Sequence, residues 1–352
     1  MTNKKYAIYG ASIYAKVLFN ELCRLGINVD FFVDEYVQAK EFLGKPVFRI
    51  KDVTDKKNLI LMNATAYDLV ESLMAKGFPE VKSLKETIYA YPGALIEFNQ
   101  TMWVVKSNRL VNENEFAWLH KRMADEKSKK LLQTLTNFRM NPLPEYFFYA
   151  DGDTEYFPSG FDAFKGIDNL KFVDCGAFTG DTIQSLFNNF SRKIEWIISM
   201  EPDPNNLEKL IKQNLVRRPE HENTNIFIYP IGAFNKETLC SFQLNGSSSS
   251  ISDSSSDTQL LVPVARIDTL LAHTAPNFIK MDVEGAELEA LDGAKEIIKK
   301  HRPNLAISAY HKAEHLWEVP RFIDSLCPDY EFRLRLHGNW GHELTLYCCM
   351  PE

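Results

Sequence analysis

Short apolar runs alternate with segments whose apolar residues recur at helical spacing, and this alternation occurs twice along the chain. The first set lies in residues 1–92. Residues 4–9 read as a strand. Gly10-Ala-Ser-Ile-Tyr-Ala15 then leads into an amphipathic helix with Val17, Leu18, Leu22 and Leu25 on one side, ended by Gly26. Val29–Val33 and Asn58–Met62 predict two further strands, the first running into Asp34 and the second followed by a helix to Lys76. Such alternation predicts a small Rossmann-like domain. Residues 93–160 change period. Phe116, Leu119 and Met123, then Leu131, Leu135 and Phe138, predict helices, with Asp125–Lys130 as a solvated face and Asn141-Pro-Leu-Pro144 as a break. This stretch is expected to be a helical connector.

The second set fills residues 161–352. Phe172-Val173, Trp196–Met200, Asn225–Tyr229, Phe278–Met281 and Leu305–His311 read as strands. Helices are predicted over Asn205–Arg217, with Leu207, Leu210, Ile211 and Leu215 as a buried stripe, over Glu287–Lys300 and over Trp317–Leu326. Thr238–Leu244 and Gln259–Ala265 predict a strand pair around the serine-rich run 245–257, too polar to pack and read either as a solvent loop or as a lid. Tyr330–Leu336 and Leu344–Cys349 predict a terminal antiparallel strand pair. The expected fold class is therefore α/β: a larger Rossmann-like domain closed by a strand pair, preceded by a smaller one and the connector.

Chemistry collects at the ends of the apolar runs of the second set. The first ends in Asp174-Cys-Gly176-Ala177-Phe178-Thr179-Gly180, and Asp181 and Thr182 open the next helix. Glycines let a backbone turn sharply and approach a ligand, and the free N–H groups of a helix start favour anionic groups. The second run ends in Glu201-Pro202, where a carboxylate can take both hydroxyls of a ribose. Gly232 and Ala233 follow the third run and leave room for a flat ring. Asp282 and Glu284 follow the fourth, and His311 ends the fifth. An imidazole suits proton removal near neutral pH, and Asp282 could orient it or hold a divalent metal against an acceptor oxygen. Glu284 has a structural alternative as a cap for the helix beginning near Gly285. Lys312 and His337 are weaker candidates, with surface roles expected for both.

These residues resemble the FkbM family of S-adenosylmethionine-dependent methyltransferases. The likeness rests on Asp174–Thr182, Glu201-Pro202, Ile279-Lys-Met-Asp-Val-Glu-Gly-Ala-Glu287 and Tyr310-His-Lys312 with Leu316-Trp-Glu-Val-Pro320. It covers roughly the last half of the chain, a domain-sized stretch. Phe178 departs from the wider methyltransferase loop, where many relatives carry a glycine. The resemblance implies S-adenosylmethionine as cofactor, held by Asp174, Gly176–Thr182, Glu201, Pro202, Gly232, Ala233 and Asp282. It also implies Asp282, Glu284 and His311 at the acceptor, which is a hydroxyl of a sugar, nucleotide sugar or glycan precursor. The Ser249-Ser-Ile251 element is similar to one in that family. The first domain resembles nucleotide-sugar-binding domains that precede some acetyltransferases: Gly10-x-Ser12-x-x-Ala15 is a degraded dinucleotide fingerprint, and Asp34 sits where a ribose-binding acid would. A shape that has lost its ligand is the competing reading.

Composition narrows the classes. With 352 residues there is enough chain for two cores, and 45% hydrophobic content marks a globular protein. A net charge of -7 without a long basic block argues against nucleic acid as partner. No apolar run reaches spanning length, the start lacks a signal-peptide core, and six scattered cysteines form no Cys-x-x-Cys pair. A cytoplasmic protein with reduced thiols and no defined metal set is expected, with a homodimer among the arrangements open to it. Two other classes remain: a non-catalytic nucleotide- or cofactor-binding scaffold, and an NAD-linked redox protein using the first domain, which the missing glycines at positions 12 and 15 disfavour.

Overall fold

The computed structural model describes residues 4–65, 67, 69–101, 111–213, 219–243, 250–251 and 260–351. The chain divides into two compact units, one of residues 1–111, 133–150 and 338–342, the other of 112–132, 151–337 and 343–352. Residues 93–160 do not stand apart; they are shared between the two.

In the first unit β1 (Lys5–Tyr9), β2 (Phe31–Val33), β3 (Glu41–Phe42), β4 (Lys45–Phe48), β5 (Leu59–Asn63) and β6 (Val81–Lys82) form one sheet in the order β3-β4-β2-β1-β5-β6. All neighbours are parallel except β3 and β4. Successive side chains of a strand point to opposite faces, and the core splits accordingly. Ile8, Phe32 and Met62 pack under the helix Ile13–Arg24, whereas Ala7, Tyr9, Val33 and Leu61 pack with Leu73 and Phe78 on the other side. Burial on both faces accounts for the continuous apolar runs read from the sequence.

The second unit is built on β7 (Asn169–Cys175), β8 (Lys193–Met200) and β9 (Asn225–Tyr229), followed by β10 (Gly232–Ala233), β11 (Thr238–Gln243), β12 (Ser250–Ile251) and β13 (Leu260–Ala265), and then by β14 (Phe278–Met281), β15 (Asn304–Ser308), β16 (Glu331–Leu336) and β17 (Leu344–Cys349). Seven of these form the main sheet, in the order β16-β17-β15-β14-β7-β8-β9. Its centre is parallel and the β16–β17 pair closes it antiparallel, as the terminal pattern predicted. Strands β10–β13 make a separate four-stranded sheet. Apart from Ser250 and Ile251, the serine-rich run and the lid reading attached to it lie outside the described residues. The main order reverses direction between β7 and β14, which opens a crevice at the carboxyl ends of those strands.

Several local expectations change. The helix predicted over Glu287–Lys300 is two helices, Glu287–Gly293 and Lys295–His301, meeting at Ala294. Gly293 sits there because a side chain would strike the Phe234 carbonyl at 1.9 Å. In the helix Pro204–Lys212, Leu210 is buried but Ile211 is 63% exposed, so the stripe is narrower than its spacing suggested. His337 is not at the surface: it is buried, with Nε2 2.9 Å from the Tyr347 hydroxyl.

Candidate active site

The crevice starts at the loop after β7. Gly176 has φ +79, and a side chain there would fall 1.8 Å from the Asp282 carbonyl, so only glycine lets the ends of β7 and β14 come this close. Phe178 (φ 48) and Gly180 (φ 91) complete the turn into the helix Asp181–Asn189, and Asp181 stands exposed in that helix's first turn. A phenylalanine in the left-handed region costs on the order of 1–3 kcal/mol unless its surroundings enforce it. Here they do: the Phe178 N–H donates to Glu201 Oε2 at 2.8 Å. Glu201 Oε1 accepts from the Asp203 N–H at 2.9 Å. Glu201 is 5% exposed, and burial pushes its carboxyl up to about 7 against those two hydrogen bonds. Each oxygen keeps capacity for a further donor.

Asp174, expected to touch a cofactor, is instead sealed in the sheet. It is 0% exposed, and its Oδ1 lies 2.9 Å from Lys280 Nζ. Burial drives its carboxyl up to about 6 against the pull of Lys280. For Lys280 burial works to lower the pKa, but Asp174, then Asp282 and Asp181, override it and hold the ammonium above the ordinary lysine value. The two therefore form an ion pair at neutral pH. Lys280 also donates to the Gly176 carbonyl at 2.6 Å, so Asp174 acts on the glycine loop through this lysine. Ala177 and Thr182 are buried, and Thr179 is half-buried. Beside Gly232, the space a side chain would fill is bounded by Val264 at 3.2 Å and Pro202 at 3.7 Å.

Across the crevice the structure brings Asp282, Glu284 and His311 together. His311 Nε2 lies 3.5 Å from Asp282 Oδ1 and 3.3 Å from Glu284 Oε2. Glu284 does not cap the following helix, whose N-cap is Ala286 without a side-chain bond; its φ of 52 turns it toward the histidine. The residue that ties this corner is Glu287, fully buried. Its Oε1 accepts from the Val283 and Gly285 N–H groups and from His311 Nδ1 at 2.9 Å, while Oε2 lies 2.9 Å from His315 Nδ1. Burial opposes charge on His311, but Glu287, Glu284 and Asp282 outweigh it and raise its pKa well above the usual histidine value. Burial works to raise Glu287 too, yet the two imidazoles hold it well below the usual range. The Tyr310 ring lies against His311 at 4.1 Å. Glu155 is a further acid within electrostatic reach of Asp282: burial, then Glu343 and Asp282, push it up to about 8.

Sequence reasoning missed Lys280, Glu287, His315 and Glu155. A lysine inside the apolar run Phe278–Met281 was a visible signal, because an ammonium in a central strand needs a buried partner. Glu287 carried none beyond its place at the end of the Ile279–Glu287 motif, and His315 and Glu155 carried none.

A reversed strand order, a glycine loop and an acid clasped at the end of the neighbouring strand define an α/β domain of the nucleotide-cofactor-binding class. Residues 174–334 match the family model of the methyltransferase FkbM domain, and this stretch is a methyltransferase domain of that kind. The chain is also similar to the crystal structure, at 2.20 Å resolution, of methyltransferase FkbM from Methylobacillus flagellatus KT, with 26% identity and a TM-score of 0.60 over 99% of this chain and 90% of that one. Among curated proteins none matches. No helix among the described residues is long and apolar enough to cross a membrane.

Proposed function

We propose that the protein is an S-adenosylmethionine-dependent O-methyltransferase acting on a hydroxyl of a sugar, nucleotide sugar or glycan precursor. The residues fit the cofactor: Glu201 retains acceptor capacity for the ribose hydroxyls, and the backbone turn from Gly176 to Gly180 runs beside it. When bound, the cofactor supplies a methyl group on a positively charged sulfur. The chain's own part is to align an acceptor hydroxyl and remove its proton. Glu287 fixes the His311 ring by its Nδ1, which leaves Nε2 turned toward Asp282 and Glu284. The acceptor oxygen lies against this group, and its proton is taken within it.

The observation that carries the reading is the meeting of Asp282, Glu284 and His311 at the carboxyl ends of adjacent strands, next to the glycine loop. Hydroxyl transfer fits that arrangement because a hydroxyl, unlike an amine, must lose a proton to become nucleophilic near neutral pH. The sugar class rests on the family likeness and on the Rossmann-like first unit. The test is transfer of labelled methyl groups to a panel of nucleotide sugars and glycan fragments. His311→Gln should lower turnover by roughly 10²–10⁴-fold, the worth of positioned acid–base groups, while affinity for the demethylated cofactor stays unchanged. Labelled product carrying an N- or C-methyl group, or undiminished turnover in the variant, overturns the proposal.

A further inference from the structure

We propose that Asp282, Glu284 and His311 form a binding site for one divalent first-row cation of the Mn2+ type, with Glu287 as the residue that orients its histidine ligand. One ligand atom from each of the three residues lies within 4.8 Å of the others. The imidazole nitrogen stands 3.5 and 3.3 Å from the two carboxylate oxygens. Ligands bonded at about 2.1 Å to a common ion stand about 3.0–3.4 Å apart at right or tetrahedral angles. Both nitrogen–oxygen separations are close to those required.

Independent of the spacing, the histidine is presented as a ligand. His311 Nε2 and Asp282 Oδ1 are buried atoms that make no well-aligned hydrogen bond, although carboxylate oxygens of Asp282 and Glu284 stand 3.5 and 3.3 Å from the nitrogen. The His311 side chain is only 10% exposed. Its other nitrogen meets the Glu287 carboxylate, itself pinned by two backbone N–H groups and by His315. A buried carboxylate on Nδ1 fixes the ring so that Nε2 faces Asp282 and Glu284, the usual support of a metal-bound histidine. Three carboxylates around one imidazole also leave the corner rich in negative charge, which a divalent cation offsets. Asp282 and Glu284 are 24% and 27% exposed, which gives an ion a way in. One imidazole with two carboxylates is a mixed donor set, between the all-oxygen sites of Mg2+ and the nitrogen- and sulfur-rich sites of Zn2+. Positions not filled by the chain would take water or an acceptor oxygen, and the ion would ease removal of that oxygen's proton.

The experiment uses the full chain after treatment with chelator, with neither cofactor nor acceptor present, so its outcome is independent of the methyl-transfer assay. Loss of the free Mn2+ electron-paramagnetic signal on titration should show one saturable site per chain. Asp282→Asn, Glu284→Gln and His311→Gln should each weaken it by about tenfold or more, and Glu287→Gln by about 10–100-fold. In the wild type, Mn2+ should broaden the His311 ring protons in the NMR spectrum before those of His120 or His273. That readout holds even where a variant fails to fold. Absence of saturable binding at millimolar Mn2+, or binding that survives His311→Gln in a folded chain, overturns the proposal.

Discussion

The two units solve the same local problem in the same way and then diverge. In the first, β1 and β2 end at the paired residues Tyr9 and Val33, and the next residue, Asp34, accepts the Ala11 N–H of the glycine loop at 2.9 Å. In the second, β7 and β8 end at the paired residues Cys175 and Met200, and the next residue, Glu201, accepts the Phe178 N–H at 2.8 Å. An acid at the end of one strand thus holds the turn that follows its neighbour. The divergence begins one layer deeper. Ile8 stands opposite Met62 in the first sheet, whereas the corresponding register position of the second holds Asp174 opposite Lys280. The clasps differ too. Asp34 already accepts three backbone N–H groups, from Ala11, Tyr36 and Val37, whereas Glu201 accepts two. A carboxylate has about four acceptor sites, so only the second keeps room for both hydroxyls of a ribose. The shared shape explains why both stretches read as nucleotide-binding. What separates them is which buried positions carry charge and which acids have acceptor capacity left.

The largest effect should come from breaking the buried pair. Lys280→Met leaves the Asp174 charge uncompensated and should cost about 3–5 kcal/mol in chemical denaturation. Asp174→Ile with Lys280→Met copies the apolar pair of the first unit. Replacing a buried ion pair by packed apolar groups is often neutral or stabilising, by as much as about 1–4 kcal/mol, so the double variant should recover most of the loss. It should not recover cofactor affinity, because the Lys280 bond to the Gly176 carbonyl goes with it. Full affinity in a stable double variant would make the pair a packing device and nothing more.

A smaller effect separates the clasps. Glu201→Gln puts an amide where two N–H groups and two ribose hydroxyls need acceptors. It should weaken binding of the demethylated cofactor by about 1–3 kcal/mol in calorimetry. Asp34→Asn should leave that affinity unchanged, because the first clasp holds only its own loop. An equal loss in both variants would erase the distinction drawn here. Point variants suit this question better than removal of residues 1–92, since the first compact unit also contains 133–150 and 338–342.

How much of this was legible in the chain follows from range. Strand–helix alternation, the terminal strand pair and the polar groups at Asp174, Glu201, Asp282 and His311 are local patterns, and a period or a short motif exposes them. Whether an acid faces a ligand or the core is decided by its cross-strand neighbour. The Asp174 motif alone suggests a ligand contact and does not show that Lys280 lies beside it. Glu284 looked like a cap because acids near helix starts commonly are, but Glu287 takes the backbone N–H groups and frees Glu284 to meet His311. Glu155, which feels the charge of Asp282, comes from a stretch more than a hundred residues earlier, and nothing in its local sequence marks it.

The most diagnostic effect is in pH, where the two units should respond with opposite sign. In the first, burial lowers His342 to about 4. A histidine kept neutral by the fold contributes stability that is present above its unfolded value of about 6.5 and is lost as pH falls toward 4. In the second, burial with Glu343 and Asp282 raises Glu155 to about 8, and burial raises Glu201 to about 7. Carboxyls held neutral by the fold contribute stability that is complete below about 4.5 and is lost as pH rises through those values, because the unfolded chain has already released the protons. His311, whose pKa is raised, acts in the same direction. Each group contributes a slope of at most about 1.4 kcal/mol per pH unit. Between pH 5 and 8, hydrogen-exchange protection corrected for intrinsic rates should therefore decline in peptides of β7, β8 and β14. Between pH 4 and 6.5 it should rise in peptides of β1 and β5. Glu155→Gln should flatten the decline above pH 7 while leaving the first unit's profile in place, since a neutral amide has no proton to release. A decline of wild-type steepness in that variant would show that Glu155 does not carry the proton assigned to it.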